Sequence, residues 1–154
     1  MSEYESLVET LPLPLRIVGD DTVVLTPDDI ANLPFRSREI EIVCNSGDRS
    51  TDRWQGVPVL DLLDRAGVPA ETTHLLVASF DGYQVCIGVD AALDGLLAIG
   101  RNGTSLAEVA EYETRFVSSG TDGPRTVKAV DRIETRSLAP EEDPSTYERL
   151  DLDG

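Results

Sequence analysis

The chain has 154 residues, 40% apolar and only 5% aromatic, enough for one domain whose core is built from branched aliphatics and alanine. Acidic residues outnumber basic ones 29 to 13, for a formal charge of −16 and a pI near 4.2, and a surface of that sign repels nucleic-acid phosphates and anionic membranes. No apolar run approaches the roughly 20 residues of a membrane-spanning helix, and the N-terminus is acidic where a signal peptide is basic, so the expectation is a cytoplasmic protein with no nucleic-acid partner and no membrane insertion.

In chain order, "LPLPLRIVGD" predicts an edge strand ending at Gly19, because its prolines leave ladder bonds unmade, and "TVVL" (22–25) predicts a second short strand. "TPDDIANLP" predicts a short helix, with Thr26 as cap, Pro27 in the first turn and Asp28 and Asp29 at the positive end. "REIEIVC" alternates as a strand that puts Ile40, Ile42 and Cys44 on one face. "VPVLDLLDRAGVP" predicts a helix from near Pro58 to Gly67, and "HLLVASFDGYQVCIG" a hairpin turning at Asp81-Gly82. A short helix in "VDAALDG", an apolar run to Asn102-Gly103, and closing strands around "YETRFVSS" and "TVKAVDRIETRS" complete the set. Short strands with a few short helices predict an α+β fold of several small mixed sheets. Residues 1–136 form the expected domain and 137–154 a loosely held acidic tail.

The charge reads either as a halophilic surface held soluble in high salt or as a patch for a cationic partner, and the spread of acids along the chain, rather than in one block, favours the first. Lys128 is the single lysine, and the other basic residues are arginines.

Two places invite chemistry. Cys44 stands where a strand meets a polar loop with Gly47, Arg49 and Arg53, and the residues alone leave it as either a packed thiol or a stabilised thiolate. A lone thiolate is too few ligands for a zinc site. His74, beside an apolar run, reads as structural, and Cys86 as packing. Around "SSGTDGPR", Gly123 with Arg115, Arg125 and Lys128 reads as either an ordinary turn or an anion site.

The order of segments resembles the molybdopterin-binding domain of the sulfite oxidase family across roughly residues 13–136. The resemblance is carried by "LRIVGDDTVVLTPDDIANLP", by "EIEIVCNSG" followed by "RWQGVPVLDLLDRAGV", by "FDGYQVCIGVDAAL", by "LLAIGRNGTSL" and by "TRFVSSGTDGPRTVKAVDRIE". It implies that fold and a molybdopterin (molybdenum cofactor) site. Cys44 stands in the position of the family's metal-ligating cysteine, where one soft thiolate suffices because the pterin brings two dithiolene sulfurs. Arg115 and Lys128 match the family's late arginine and lysine and are then implied at the cofactor's phosphate, with Gly123 and Arg125 of the candidate anion site expected beside them. The implied activity is a small-molecule oxidoreductase, by oxygen-atom transfer or related reduction, with a separate electron-transfer partner. The loop after Cys44 departs from sulfite oxidases in carrying Asp48 and Asp52, which disfavours sulfite as substrate. "EYETR" also departs from the family's Gly-x-Pro before the late arginine. A relative that keeps the fold without cofactor, as a binding module, is the second reading.

Overall fold

The Asp81-Gly82 hairpin and the long alternating strand fall in two different sheets. The computed structural model describes residues 15–43, 47–110, 112–119 and 125–150. In order these form Leu15–Val18 (β1), Thr22–Leu25 (β2), Pro27–Ala31 (α1), Arg36–Val43 (β3), Arg49–Pro58 (β4), Val59–Ala66 (α2), His74–Ser79 (β5) and Gln84–Gly88 (β6). Val89–Ala92 (α3), Leu96–Arg101 (β7), Thr104–Ser105 (β8), Leu106–Val109 (α4), Arg115–Val117 (β9) and Val130–Arg136 (β10) follow. A 3-10 turn at Pro144–Tyr147 comes last.

The first sheet runs β2-β1-β10-β5-β6, with β1 and β10 parallel and the other pairs antiparallel. The second runs β3-β4-β7-β8, with β9 also paired to β7, and is antiparallel throughout. These mixed sheets with short helices are the α+β arrangement expected. β1 corrects one expectation, since it is an interior strand between β2 and β10 rather than an edge. The prolines at 12 and 14 precede the strand, so residues 15–18 keep their N–H groups for the ladders.

Local chemistry sets the elements. Thr26 accepts from the Asp29 N–H at 3.2 Å while the Asp29 carboxylate accepts from the Thr26 N–H at 2.9 Å, a reciprocal cap that starts α1. Asn102 and Gly103 both have positive φ, 54° and 88°, as a two-residue turn between β7 and β8 requires. In "RWQGVP", Gly56 lies at an irregularity in the β4–β7 ladder, and a Cβ there would stand 2.1 Å from the Leu97 carbonyl oxygen. Only glycine admits that approach.

The main core lies between the sheets and helices, with Ile17, Leu25, Ile30, Leu62, Leu63, Leu75, Val77 and Phe116 buried together. A second cluster forms on the other face of the second sheet, from Ile40, Ile42, Trp54, Leu96, Ala98, Leu106 and Val117, with Tyr112 against it. The segment expected as a loose tail is held along β6 over its described part. Gln84 and Arg149 exchange backbone hydrogen bonds of 3.1 and 2.8 Å, and the Gln84 amide donates to the Tyr147 carbonyl at 2.5 Å. These bonds satisfy an otherwise open strand edge. Among the described residues, no helix is long and apolar enough to cross a membrane.

Candidate cofactor site

Trp54 is the centre of the second cluster and is 1% exposed. It pairs directly with Arg101 across the β4–β7 ladder, and the Arg101 guanidinium lies 5.5 Å from its ring centre. Arg115, from β9, lies 5.6 Å from the same ring and 5.9 Å from that of Tyr112. Lys128, bridged to Arg115 through the backbone, places its ammonium 5.6 Å from the Tyr112 ring. Three cations therefore interleave with two aromatic rings on one face.

Arg115 is fixed by its own hydrogen bonds. Its Nε donates to the Thr126 carbonyl at 3.2 Å, one terminal nitrogen donates to the Thr126 hydroxyl at 2.7 Å, and the other donates to the Tyr112 hydroxyl at 3.2 Å. Among the described residues, none of Arg101, Arg115 and Lys128 pairs with a carboxylate, in a chain with more than twice as many acids as bases. The Trp54 Nε1 is a buried donor with no partner among the described residues. Unpaired cations beside an unsatisfied N–H suit an anionic, acceptor-rich group.

The sequence model of the oxidoreductase molybdopterin-binding domain matches residues 12–143. The chain belongs to that family. Sulfite oxidase from Gallus gallus is 31% identical over 118 residues, which is 68% of this chain and 25% of that protein. A nitrate reductase [NADH] from Spinacia oleracea is 32% identical over 99 residues, 54% of this chain and 11% of that protein. This chain thus spans a quarter or less of these two relatives. The fold is similar to that in the crystal structure of the sulfane dehydrogenase SoxCD from Paracoccus pantotrophus, with a TM-score of 0.74 and 22% identity over 92% of this chain and 41% of that one.

In this molybdopterin-binding domain the face built on Trp54 fits the family's cofactor by its donor set. Of the residues expected at the site, Arg115 and Lys128 come together there, joined by Arg101. Cys44 and Gly123 lie outside the described residues, although β3 ends at Val43 and brings Ile40 and Ile42 onto the Trp54 face. Arg125 is engaged elsewhere, by a bidentate pair with Glu148 at 2.9 and 2.8 Å. Arg49 is paired with Glu41 at 3.2 Å, and Arg53 lines an open groove of about 580 Å3 with Ser37 and Gln55, two positions whose alternation puts them opposite Trp54.

The other sulfur and the imidazole have structural roles. Burial, and after it the nearby Glu148 carboxylate, push the Cys86 thiol up to about 11, so it stays protonated as a packing group. His74 begins β5 with its Nδ1 2.9 Å from the Thr73 hydroxyl. Among the described residues, no group of three or more His, Cys, Asp or Glu side chains is arranged to hold a metal. Sequence reasoning assigned no role to Arg101 or Tyr112. The signals available were an arginine directly before an Asn-Gly turn and an aromatic three residues before Arg115.

Proposed function

We propose that this domain works as a molybdenum-dependent oxidoreductase, with the Cys44 thiolate as protein ligand to the metal and the Trp54 face receiving the pterin's anionic end. Arg115 and Lys128 would neutralise the phosphate, Arg101 would add a third positive charge, and the Trp54 N–H would donate to an acceptor of the group. When bound, the cofactor supplies a redox centre for oxygen-atom transfer or related reduction of a small molecule, and a separate partner carries the electrons. The observation that carries the reading is the cation–aromatic stack from Arg101 to Lys128.

The stretch after Cys44 bears on substrate charge, and its residues from Arg49 on are the start of β4 rather than the loop expected from the sequence. Asp52 alternates onto the Trp54 face and is held by the Asn102 amide at 3.0 Å. Arg49 and Arg53, which would have to outweigh Asp48 and Asp52, are turned to Glu41 and to the opposite groove. This charge balance favours a neutral or cationic substrate over sulfite.

Protein purified from a host that makes the cofactor should contain stoichiometric molybdenum by mass spectrometry, and Cys44→Ser should remove it. Folded but metal-free wild-type protein from that host would overturn the enzyme reading and leave the domain as a cofactor-free binding module.

A further inference from the structure

The family match ends at residue 143, yet the chain continues into a segment tied to the candidate site from outside. Asp143 caps the 3-10 turn by accepting from the Ser145 N–H at 3.0 Å, and the Tyr147 hydroxyl donates to Glu142 at 2.7 Å. Glu148 follows, with its side chain 5% exposed. Its carboxylate accepts from Arg125 Nε at 2.9 Å, from an Arg125 terminal nitrogen at 2.8 Å and from the Cys86 N–H at 3.0 Å. One buried acid thus ties this C-terminal strap (142–148), β6 and the stretch running on from Arg125.

That segment is the support of Arg115. Arg125 is the neighbour of Thr126, which is 2% exposed and accepts from Arg115 through both its carbonyl and its hydroxyl. Two backbone bonds tie the same segment to the strand carrying Arg115: the Phe116 N–H to the Val127 carbonyl and the Ala129 N–H to the Thr114 carbonyl, both 2.8 Å. The contacts run without a gap from Glu148 to Arg125, Thr126, Arg115 and Trp54.

We infer that Glu148 is a positioning residue: through Arg125 it sets Thr126, and through Thr126 it sets the orientation of the Arg115 guanidinium over Trp54. Arg125 then serves the site as a support rather than as an anion ligand. Its meaning for catalysis rests on the proposed function, but its test does not.

Trp54 is the single tryptophan, so its fluorescence reports this face directly. In the whole 154-residue chain purified without cofactor, Glu148→Gln keeps an acceptor for the Cys86 N–H and removes the charge that grips Arg125. Iodide quenching of Trp54 should rise severalfold, and amide exchange should quicken at Phe116 and Ala129 as well as along Gln84 and Arg149. Glu148→Asp, which keeps the charge, should restore part of both. A Glu148 that merely staples the strap would quicken exchange at Gln84 and Arg149 alone and leave Trp54 quenching unchanged, and that result overturns the inference. So does a Glu148→Gln protein indistinguishable from wild type. Wild-type protein without molybdenum would sink the proposed function yet leave this readout standing.

Discussion

The Arg115 guanidinium lies 5.6 Å from the centre of the Trp54 ring while its three nitrogens donate to Thr126 and Tyr112. A flexible cation would lose conformational freedom on meeting an anion. This one is already ordered, so binding need not bear that cost again. The neighbouring Lys128 is exposed, with its ammonium 5.6 Å from the Tyr112 ring and no hydrogen bond or ion pair to its side chain among the described residues, so it remains adaptable. Beside Arg101, the face thus sets the fixed charge of Arg115 next to an adaptable one at Lys128.

Arg115→Lys separates charge from geometry. Lysine keeps the positive charge but lacks the planar fork that grips two Thr126 acceptors. Thr126 is buried, so leaving its acceptors short should cost about 1–3 kcal/mol of stability in denaturant titrations. Trp54 emission should shift to the red as water reaches the ring. An unchanged melt and spectrum would show that the fork does not order this face.

Gly56→Ala tests the approach of β4 to β7. The added Cβ would stand 2.1 Å from the Leu97 carbonyl and 2.7 Å from the Ala98 Cα, both backbone atoms that cannot swing aside. The ladder holding Trp54 opposite Arg101 would have to shift, with a loss of more than about 3 kcal/mol or failure to fold. Gly88→Ala is the control, because a Cβ there meets nothing within 4 Å. Equal denaturation midpoints for the two variants would contradict the close approach.

Much of the fold was legible because its signals are local. The Thr26 cap, the turns at Asp81-Gly82 and Asn102-Gly103 and the alternation of "REIEIV" each depend on residues a few positions apart. The interior place of β1 was not legible, because its parallel partner β10 arrives from the far end of the chain. At the site, Arg115 and Lys128 could be proposed together because they are near in sequence. Trp54 and Arg101 meet only through sheet register, and Arg125 finds Glu148 only after the last segment folds back. Composition alone cannot show that an arginine already has a carboxylate.

Acid should weaken the fold through carboxylates held in place by hydrogen bonds. The Thr26 backbone N–H and hydroxyl hold the Asp29 carboxyl below its usual range, and the Ser79 hydroxyl and Tyr83 N–H do the same for Asp81. A depressed folded pKa gives stability that is present above the unfolded value, about 3.9 for aspartate, and is lost as pH falls through the folded value. Burial raises the Asp131 carboxyl, which acts in the opposite sense, costing stability as pH rises and it ionises. The lowered acids should dominate below about pH 4, so thermal melts in molar KCl should drop there. Asp81→Asn should flatten part of that drop. An unaltered pH profile in Asp81→Asn would remove Asp81 from the account.

The net charge of −16 makes salt the remaining variable. Protonating acids at low salt also relieves self-repulsion, which opposes the loss of capping bonds, so pH and salt must be varied together. We expect the melting temperature at neutral pH to rise substantially between about 0.1 M and about 1 M KCl, as the screening length falls from about 10 Å to about 3 Å. Chloride is the informative anion because sulfate stabilises most folds by exclusion from their surface. Most of the rise should occur before the screening length drops below the spacing of neighbouring carboxylates, and it should be smaller in variants with several exposed acids changed to amides. If stability is flat across this range, repulsion is not limiting the fold, and the acids serve as a surface for a cationic partner.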